Sequence, residues 1–306
     1  MKNKYSNVGG QAVMEGIMMR SPKRSVLAVR QPDGTIATEE MHAQSVRQKF
    51  KILNLPIIRG VVAFVESFFI GYKAIMRSAS LAGLEEETKG NKVLEGLLMV
   101  LAVVLGFGLA AGLFMVAPAY TVKGLSLLFE MPNFVKTLIE GIVRIAIFIL
   151  YLFLVSRMKD IKRMFEYHGA EHKTIFCFEA GEDLTVENVK KQSRLHPRCG
   201  TNFLFLVMII SIFVSSFISW DVVWQRVLIK FLTLPLVAGL SFELIRFSGM
   251  YDNVLTRIIS APGRALQLLT TNEPHADQIE VAITALEASL KENDGSIDQK
   301  AAYEGE

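Results

Sequence analysis

Four long apolar runs dominate the middle of the chain, at about residues 93–119, 134–156, 202–218 and 227–245. A helix rises about 1.5 Å per residue and the hydrocarbon core of a bilayer is about 30 Å thick, so runs of this length are able to cross it. The pattern predicts four transmembrane helices, one pair within residues 93–156 and a second pair within residues 202–247.

The N-terminal region has a different pattern. Two short segments rich in β-branched residues, 25–30 and 35–39, flank a Gln-Pro-Asp-Gly sequence at 31–34. Short apolar segments on either side of such a turn sequence are typical of a β-hairpin. We therefore expect residues 1–52 to form a small cytoplasmic element that contains β-structure.

Residues 53–84 predict an amphipathic helix. Asn54 is a favourable N-cap residue, and Arg59, Glu66 and Lys73 follow at intervals of seven. This spacing places the polar side chains on one narrow stripe of a helix. We interpret the segment as a helix that lies in the membrane interface, with a fifth, weakly hydrophobic span as the alternative.

A polar loop, residues 157–201, separates the two pairs of spans. Apolar and histidine residues recur at intervals of three and four from Met158 to Glu179, which predicts that the second span continues into the loop as a helix. Gly181 is expected to end that helix, and residues 185–192 predict a further short one.

The C-terminal region, residues 248–306, is predicted to be helical and cytoplasmic. Pro262 and Gly263 predict a break in the chain, followed by a helix over about residues 276–291. The last dozen residues are predicted to be disordered.

Composition and charge distribution support membrane insertion. Hydrophobic residues make up 51% of the chain and the mean hydropathy is +0.35, which is too apolar for a soluble domain of this length. Cations are scarce between the first two and between the last two spans, whereas both termini and the central loop are rich in them. By the positive-inside rule, the loop and both termini are expected in the cytoplasm.

The balance of charge also limits the partners. The formal net charge is only +3, and the basic residues form no stripe with interleaved aromatic side chains. We therefore expect the lipid bilayer as a partner and no nucleic acid. The sequence leaves the oligomeric state open.

Charged residues also occur inside the predicted spans. Glu140 and Arg144 lie four residues apart in the second span, and Glu243 and Arg246 lie three apart in the last. These spacings predict intramembrane ion pairs. The alternative is that the four side chains line a polar cavity within the bilayer.

The central loop carries a candidate metal site. On a helix, His168 and His172 are neighbours that can chelate one cation, with Glu171 beside them in the order His-x-x-Glu-His. In such a site a carboxylate takes the proton of a water that the metal activates, and Glu171 is the candidate base. The alternative is that both histidines are polar residues of a partly buried face.

A second short motif, His-x-x-Cys, adds His196 and Cys199 as candidate ligands immediately before the third span. The only other cysteine is Cys177, and both lie in a predicted cytoplasmic loop where thiols stay reduced, so no disulfide is expected. Mixed imidazole and thiolate ligands favour Zn²⁺, with iron or manganese as alternatives if the thiol does not bind. Cys199 also precedes a helix, where a Cys–His nucleophile is a competing interpretation.

Three motifs together resemble those of the YqhQ-like family of bacterial multi-pass membrane proteins: GGQAVMEGIMMR at residues 9–20, HGAEHK at 168–173 and HPRCGT at 196–201. The resemblance extends over nearly the whole chain, and Ile17 is a conservative departure from an expected Val. It implies a metal-dependent enzyme of the bacterial cell membrane without a settled reaction. It carries metal-ligand roles to His168, His172, His196 and Cys199, and catalytic roles to Glu171 and Glu15.

Three functions remain open from the sequence. The first is a zinc hydrolase with Glu171 as base, acting on a lipid-linked or membrane-proximal substrate. The second is a non-catalytic membrane scaffold or transporter accessory with a structural metal site. The third is a thiol enzyme that uses Cys199 with His196.

Overall fold

The computed structural model describes residues 6–22, 24–41, 46–48, 50–84, 92–197, 199–219, 222–251 and 253–291. The N-terminal region forms one antiparallel sheet with strands in chain order: β1 (Gly9–Val13), β2 (Gly16–Arg20), β3 (Ser25–Arg30) and β4 (Ile36–Glu40). The β3–β4 hairpin confirms the hairpin predicted from the sequence. A second hairpin, β1–β2, holds the Gly-Gly-Gln motif.

Ten α-helices follow in the described residues: α1 (Ile58–Leu81), α2 (Lys92–Ala111), α3 (Ala117–Leu125), α4 (Asn133–Val155), α5 (Lys159–Ala180), α6 (Val186–Lys191), α7 (Gly200–Ser215), α8 (Val223–Met250), α9 (Val254–Thr270) and α10 (Ala276–Leu290). A π-helical turn, Gly112–Val116, joins α2 to α3. The chain is therefore mostly helical with one small sheet.

The sheet lies between helices on both faces. Because side chains alternate along a strand, Ile17 and Met19 of β2 face α5 and α10, whereas Met18 faces α1. The central strands β2 and β3 are thus buried on both sides, which explains their continuous apolar sequences.

Within the described part of the chain, three helical stretches are long and apolar enough to cross a membrane: Gly96–Leu125, Asn133–Val155 and Val223–Ser248. No residue of the apolar window in the first stretch is buried inside the protein, and such a surface is typical of contact with lipid. The run predicted as the third span, residues 202–218, forms α7, which is apolar but only 16 residues long. The four-span arrangement stays a prediction.

Helix α1 begins at Ile58, later than the Asn54 cap suggested, after Ile57 with a positive φ of 70°. Its small residues face the protein: Gly60 crosses Gly239 of α8 closely, and Ala74 packs on the sheet. Its large apolar side chains point outward, including Phe64, Phe68, Phe69 and Met76. A helix over most of residues 53–84 is confirmed, whereas its position in the membrane interface stays a prediction.

Three local predictions were wrong. The second span does not continue into the loop, because α4 ends at Val155 and α5 starts as a separate helix at Lys159. Pro262 does not separate two helices as predicted; it lies inside α9. Glu243 forms its ion pair with Arg59 of α1, whereas we expected Arg246. The predicted disordered tail lies outside the described residues.

Candidate metal centre

Helix α5 provides the base of the site. Its N-cap is Met158, and it ends at Gly181 in the left-handed region with φ 72°, as predicted. The second half of the helix is buried on nearly all sides, from Glu166 to Phe178, although its sequence is rich in polar residues. Buried polar side chains require partners, and those of α5 define the site.

His168, His172 and Cys199 form one cluster whose ligand atoms all lie within 4.8 Å of one another. Nε2 of His168 is 3.2 Å from Sγ of Cys199, and the two imidazole centroids are 4.4 Å apart. Cys199 is the N-cap residue of α7, and its sulfur accepts a hydrogen bond from the backbone N–H of Thr201 at 3.4 Å.

Backbone carbonyls orient both imidazoles of the cluster. Nδ1–H of His168 donates to the carbonyl of Thr270 at 2.8 Å, and Nδ1–H of His172 donates to the carbonyl of Arg194 at 2.6 Å. Since a carbonyl only accepts, Nδ1 carries a proton in each ring, which leaves Nε2 as the atom that would bind a metal. Burial also lowers the pKa of His172, which favours the neutral ring.

His196 lies next to this cluster but outside it. Its Nε2 is 3.5 Å from a carboxylate oxygen of Glu179, and its ring centroid is 5.6 Å from that of His172. The side chain of Gln267 bonds to both its backbone N–H and its carbonyl. The structure therefore brings together three of the four predicted ligands, and a metal-binding role for His196 stays a prediction.

Glu171 is the buried carboxylate nearest in sequence to the cluster. Only 5% of this residue is exposed. Burial raises its pKa, while the electrostatic interaction with His168 and a hydrogen bond from the backbone N–H of Gly10 oppose that rise. The contact with Gly10 brings the first sequence motif against the second. Glu171 adjoins the three-residue cluster without belonging to it.

Glu15 lies in the turn between β1 and β2 with a positive φ of 51°. Both its carboxylate oxygens accept hydrogen bonds from Arg163, and the hydroxyl of Tyr167 donates to it at 3.3 Å. These contacts hold the hairpin against α5. A catalytic role for Glu15 stays a prediction.

The sequence could not identify the groups that orient the histidines. The carbonyls of Thr270 and Arg194 belong to the backbone, so no residue type marks them. Gln267 was a weak indication in the sequence, because it is a polar residue on the apolar face of an amphipathic helix. The structure shows that this amide is fully buried.

Comparison with known proteins places these residues in a family. A family model described as "Protein of unknown function (DUF1385)" matches residues 55–292. The chain is also 34% identical over 293 residues to "Uncharacterized protein YqhQ" of Bacillus subtilis (strain 168), covering 92% of each chain. This protein belongs to the DUF1385 family. No solved structure matches it.

The match to the DUF1385 family includes the whole cluster, since His168, His172 and Cys199 lie inside residues 55–292. The donor set fits a transition metal, because two imidazoles and one sulfur converge, and the Nδ1 atom of each imidazole is already bonded to a carbonyl. Nitrogen and sulfur ligands of this kind suit zinc.

Proposed function

We propose that this protein is a metal-dependent enzyme, a zinc hydrolase that acts at the cytoplasmic face of the bacterial cell membrane. His168, His172 and Cys199 would hold the ion. The observation that carries the proposal is the orientation of the two rings: each donates Nδ1–H to a carbonyl and presents Nε2 toward the same sulfur. Metal-binding histidines are typically oriented by such outer hydrogen bonds.

A ligand set of three leaves one position of a tetrahedral zinc open. When bound, the metal would supply a Lewis acid that makes water a stronger nucleophile. We assign Glu171 the role of accepting the proton of the attacking water, because it follows His168 by one turn of α5 and is held in place by Gly10.

The membrane arrangement that we propose has four spans with both termini in the cytoplasm. Support comes from the packing of α7 on α4. The side chain of Ile212 lies against Gly141 of α4, and the carbonyl of Ile218, past the end of α7, accepts a hydrogen bond from Arg226, which also pairs with Glu140 of α4. Helix α7 therefore packs beside a helix that is long and apolar enough to cross a membrane.

This topology suggests the substrate class. The cluster lies at the start of α7, the run predicted as the third span, and the positive-inside rule assigns that end to the cytoplasm. A lipid-linked or membrane-proximal molecule could present a polar group there. We therefore propose such a substrate for the hydrolase.

Burial favours a second candidate function, a scaffold with a structural metal. His172 is 2% exposed and Cys199 is 7% exposed, and closed structural zinc sites are buried in this way. In that case the ion would pin the start of α7 to α5. His196 would then be available as the ligand that closes the site.

Metal analysis and cobalt substitution test the proposal together. Elemental mass spectrometry of detergent-purified protein should give about one equivalent of zinc, lost in His172→Ala and retained in a His275→Ala control. Cobalt that replaces the zinc should then report the coordination. Azide should shift the absorption bands of cobalt if one coordination position is open, and it should leave them unchanged if all positions are filled. Absence of metal would overturn both candidates, whereas a cobalt site indifferent to azide would overturn the hydrolase alone.

A Glu171→Gln variant completes this test. The proposed base should be dispensable for binding, so the variant should keep its zinc. The pH dependence of the cobalt spectrum should change, because the carboxylate interacts with water at the open position. An unchanged pH dependence would contradict the role assigned to Glu171.

A further inference from the structure

A buried ionic cluster lies between the long apolar helices, separate from the metal centre. Glu140 of α4 is 1% exposed and accepts hydrogen bonds from Arg144, Arg226 and Lys230. Ser211, which also contacts this cluster, lies twelve residues beyond Cys199, a rise of about 18 Å along α7. Ionisable residues at such depth mark functional sites in membrane proteins.

Two cations of the cluster share one carboxylate oxygen. Nη2 of Arg144 lies 3.2 Å from Oε1 of Glu140, and Nζ of Lys230 contacts the same atom. Arg144 and Lys230 also line one cavity of about 210 Å³. At the polar end of this cavity, two cations therefore contact a single carboxylate oxygen. The local charge at this end is positive.

Arg144 is fixed in position on three sides. Its Nε donates to the carbonyl of Phe114 at 2.8 Å, its Nη1 donates to Ser211, and its Nη2 donates to Glu140. Phe114 belongs to the π-helical turn between α2 and α3. Such turns interrupt α-helices frequently at functional sites. The guanidinium is thus preorganised at the wall of the cavity.

The remainder of the cavity is apolar. Apart from Arg144, Lys230, Ser211, Ser215 and Thr233, its lining consists of aliphatic, aromatic and methionine side chains. These include Phe114, Phe148, Leu204, Val207, Met208 and Val237. The volume equals roughly seven water molecules at about 30 Å³ each, enough for a small anionic group and the first part of a chain.

We propose that this cavity binds an anionic amphiphile, with its carboxylate or phosphate on the cavity side of Arg144 and Lys230 and its hydrocarbon chain against the apolar wall. The positive charge of the polar end favours an anionic head group over a zwitterionic or cationic one, and the apolar lining suits a hydrocarbon chain. The proposal rests on the proposed membrane insertion and is independent of the metal centre. It gives the membrane part of the protein a ligand of its own.

Native mass spectrometry of the full chain tests this site. The protein would be released from phosphatidylcholine micelles doped with phosphatidic acid or with a long-chain fatty acid. We expect one anionic lipid to be retained about tenfold or more over phosphatidylcholine. Equal retention of zwitterionic and anionic lipids would overturn the proposal.

Two variants act on different parts of the cavity. Lys230→Met removes one cation and leaves Glu140 paired with both arginines, whereas Val207→Trp fills the apolar part without changing a charge. Each should reduce retention about tenfold. The matched control, Leu232→Trp on the exposed face of α8, should retain lipid like the natural protein. Normal retention by both cavity variants would contradict the assignment.

Two further measurements separate the sources of the anion and the causes of failure. Inorganic phosphate in excess should not displace the lipid; if it did, the ligand would be a free anion and the amphiphile proposal would be wrong. Zinc content of the same samples should stay constant across the cavity variants. A cavity variant that loses zinc but retains lipid would count against the proposed metal site and leave the lipid proposal unaffected.

Discussion

The backbone amide of Gly10 donates a hydrogen bond to the carboxylate of Glu171, and this contact joins the N-terminal sheet to the helix that carries both histidines of the cluster. A methyl group on Gly10 would lie 2.9 Å from Cδ of Glu171 and 2.9 Å from the carbonyl oxygen of Met18. Side chains do not approach so closely, so glycine is what permits the contact. Close packing therefore explains one position of the Gly-Gly-Gln motif.

This packing predicts different outcomes for two adjacent glycines. Gly10→Ala should lower the free energy of unfolding by about 1–3 kcal/mol, because Glu171 or β2 must shift. Gly9→Ala is the matched control, since a Cβ there has nothing within 4 Å, and it should change stability by less than about 0.5 kcal/mol. Circular dichroism of thermal unfolding measures both. Equal melting temperatures would contradict the close contact.

A second glycine pair tests the groups that orient His168. A Cβ on Gly169 would overlap the carbonyl oxygen of Asn272, next to the segment whose Thr270 carbonyl accepts from Nδ1 of His168. Gly169→Ala should therefore displace this segment, including the Thr270 carbonyl, and weaken zinc binding about 10–100-fold. Competition with a fluorescent zinc chelator measures the affinity.

Gly200→Ala is the control for that experiment. Gly200 begins α7 directly after Cys199, and a Cβ there meets nothing within 4 Å. Its zinc affinity should equal that of the natural protein. If both alanine variants bound zinc normally, the Thr270 carbonyl would have no part in orienting the ring.

Local spacing explains which parts of this structure the sequence predicts. His168 and His172 meet because they are one helical turn apart, and Cys199 is recognisable because it precedes an apolar run. By contrast, Glu243 pairs with Arg59, a residue far away in the chain, and nothing in local spacing indicates that partner. The break between α4 and α5 was also missed, since the periodic pattern continues through it.

The ion pair between Glu15 and Arg163 tests the catalytic role predicted for Glu15. Both side chains are partly exposed, at 26% and 42%, so solvent screening limits the coupling to about 1 kcal/mol or less. A double-mutant cycle with Glu15→Gln and Arg163→Gln should give that coupling in unfolding experiments. Both variants should keep their zinc. An azide response of cobalt that changes in Glu15→Gln alone would contradict a purely structural role.

The buried thiol of Cys177 predicts a pH dependence of stability. Burial, followed by the charges of Glu182 and Asp183, raises the pKa of this thiol in the folded protein. The folded state thus holds the proton more tightly than the unfolded state, whose thiol pKa is about 8.5. The resulting stabilisation is complete below that pH and is lost as pH rises through the raised value. Cys177→Ala should show a smaller loss of stability above neutral pH, and identical pH profiles would contradict the shift.

The last prediction separates the metal site from a Cys–His nucleophile. The sequence suggested His196 as the partner of this thiol, whereas in the structure Cys199 Sγ lies 3.2 Å from Nε2 of His168, a distance that suits either chemistry. If the sulfur is a metal ligand, zinc should slow alkylation of Cys199 by iodoacetamide, and a chelator should restore the rate. Mass mapping distinguishes it from Cys177, which should stay unlabelled in both samples because it is fully buried and its pKa is raised. His172→Ala should abolish the protection by zinc. Rapid labelling of Cys199 that neither zinc nor chelator changes would favour the thiol enzyme, because coordination to a metal would alter the reactivity of the sulfur.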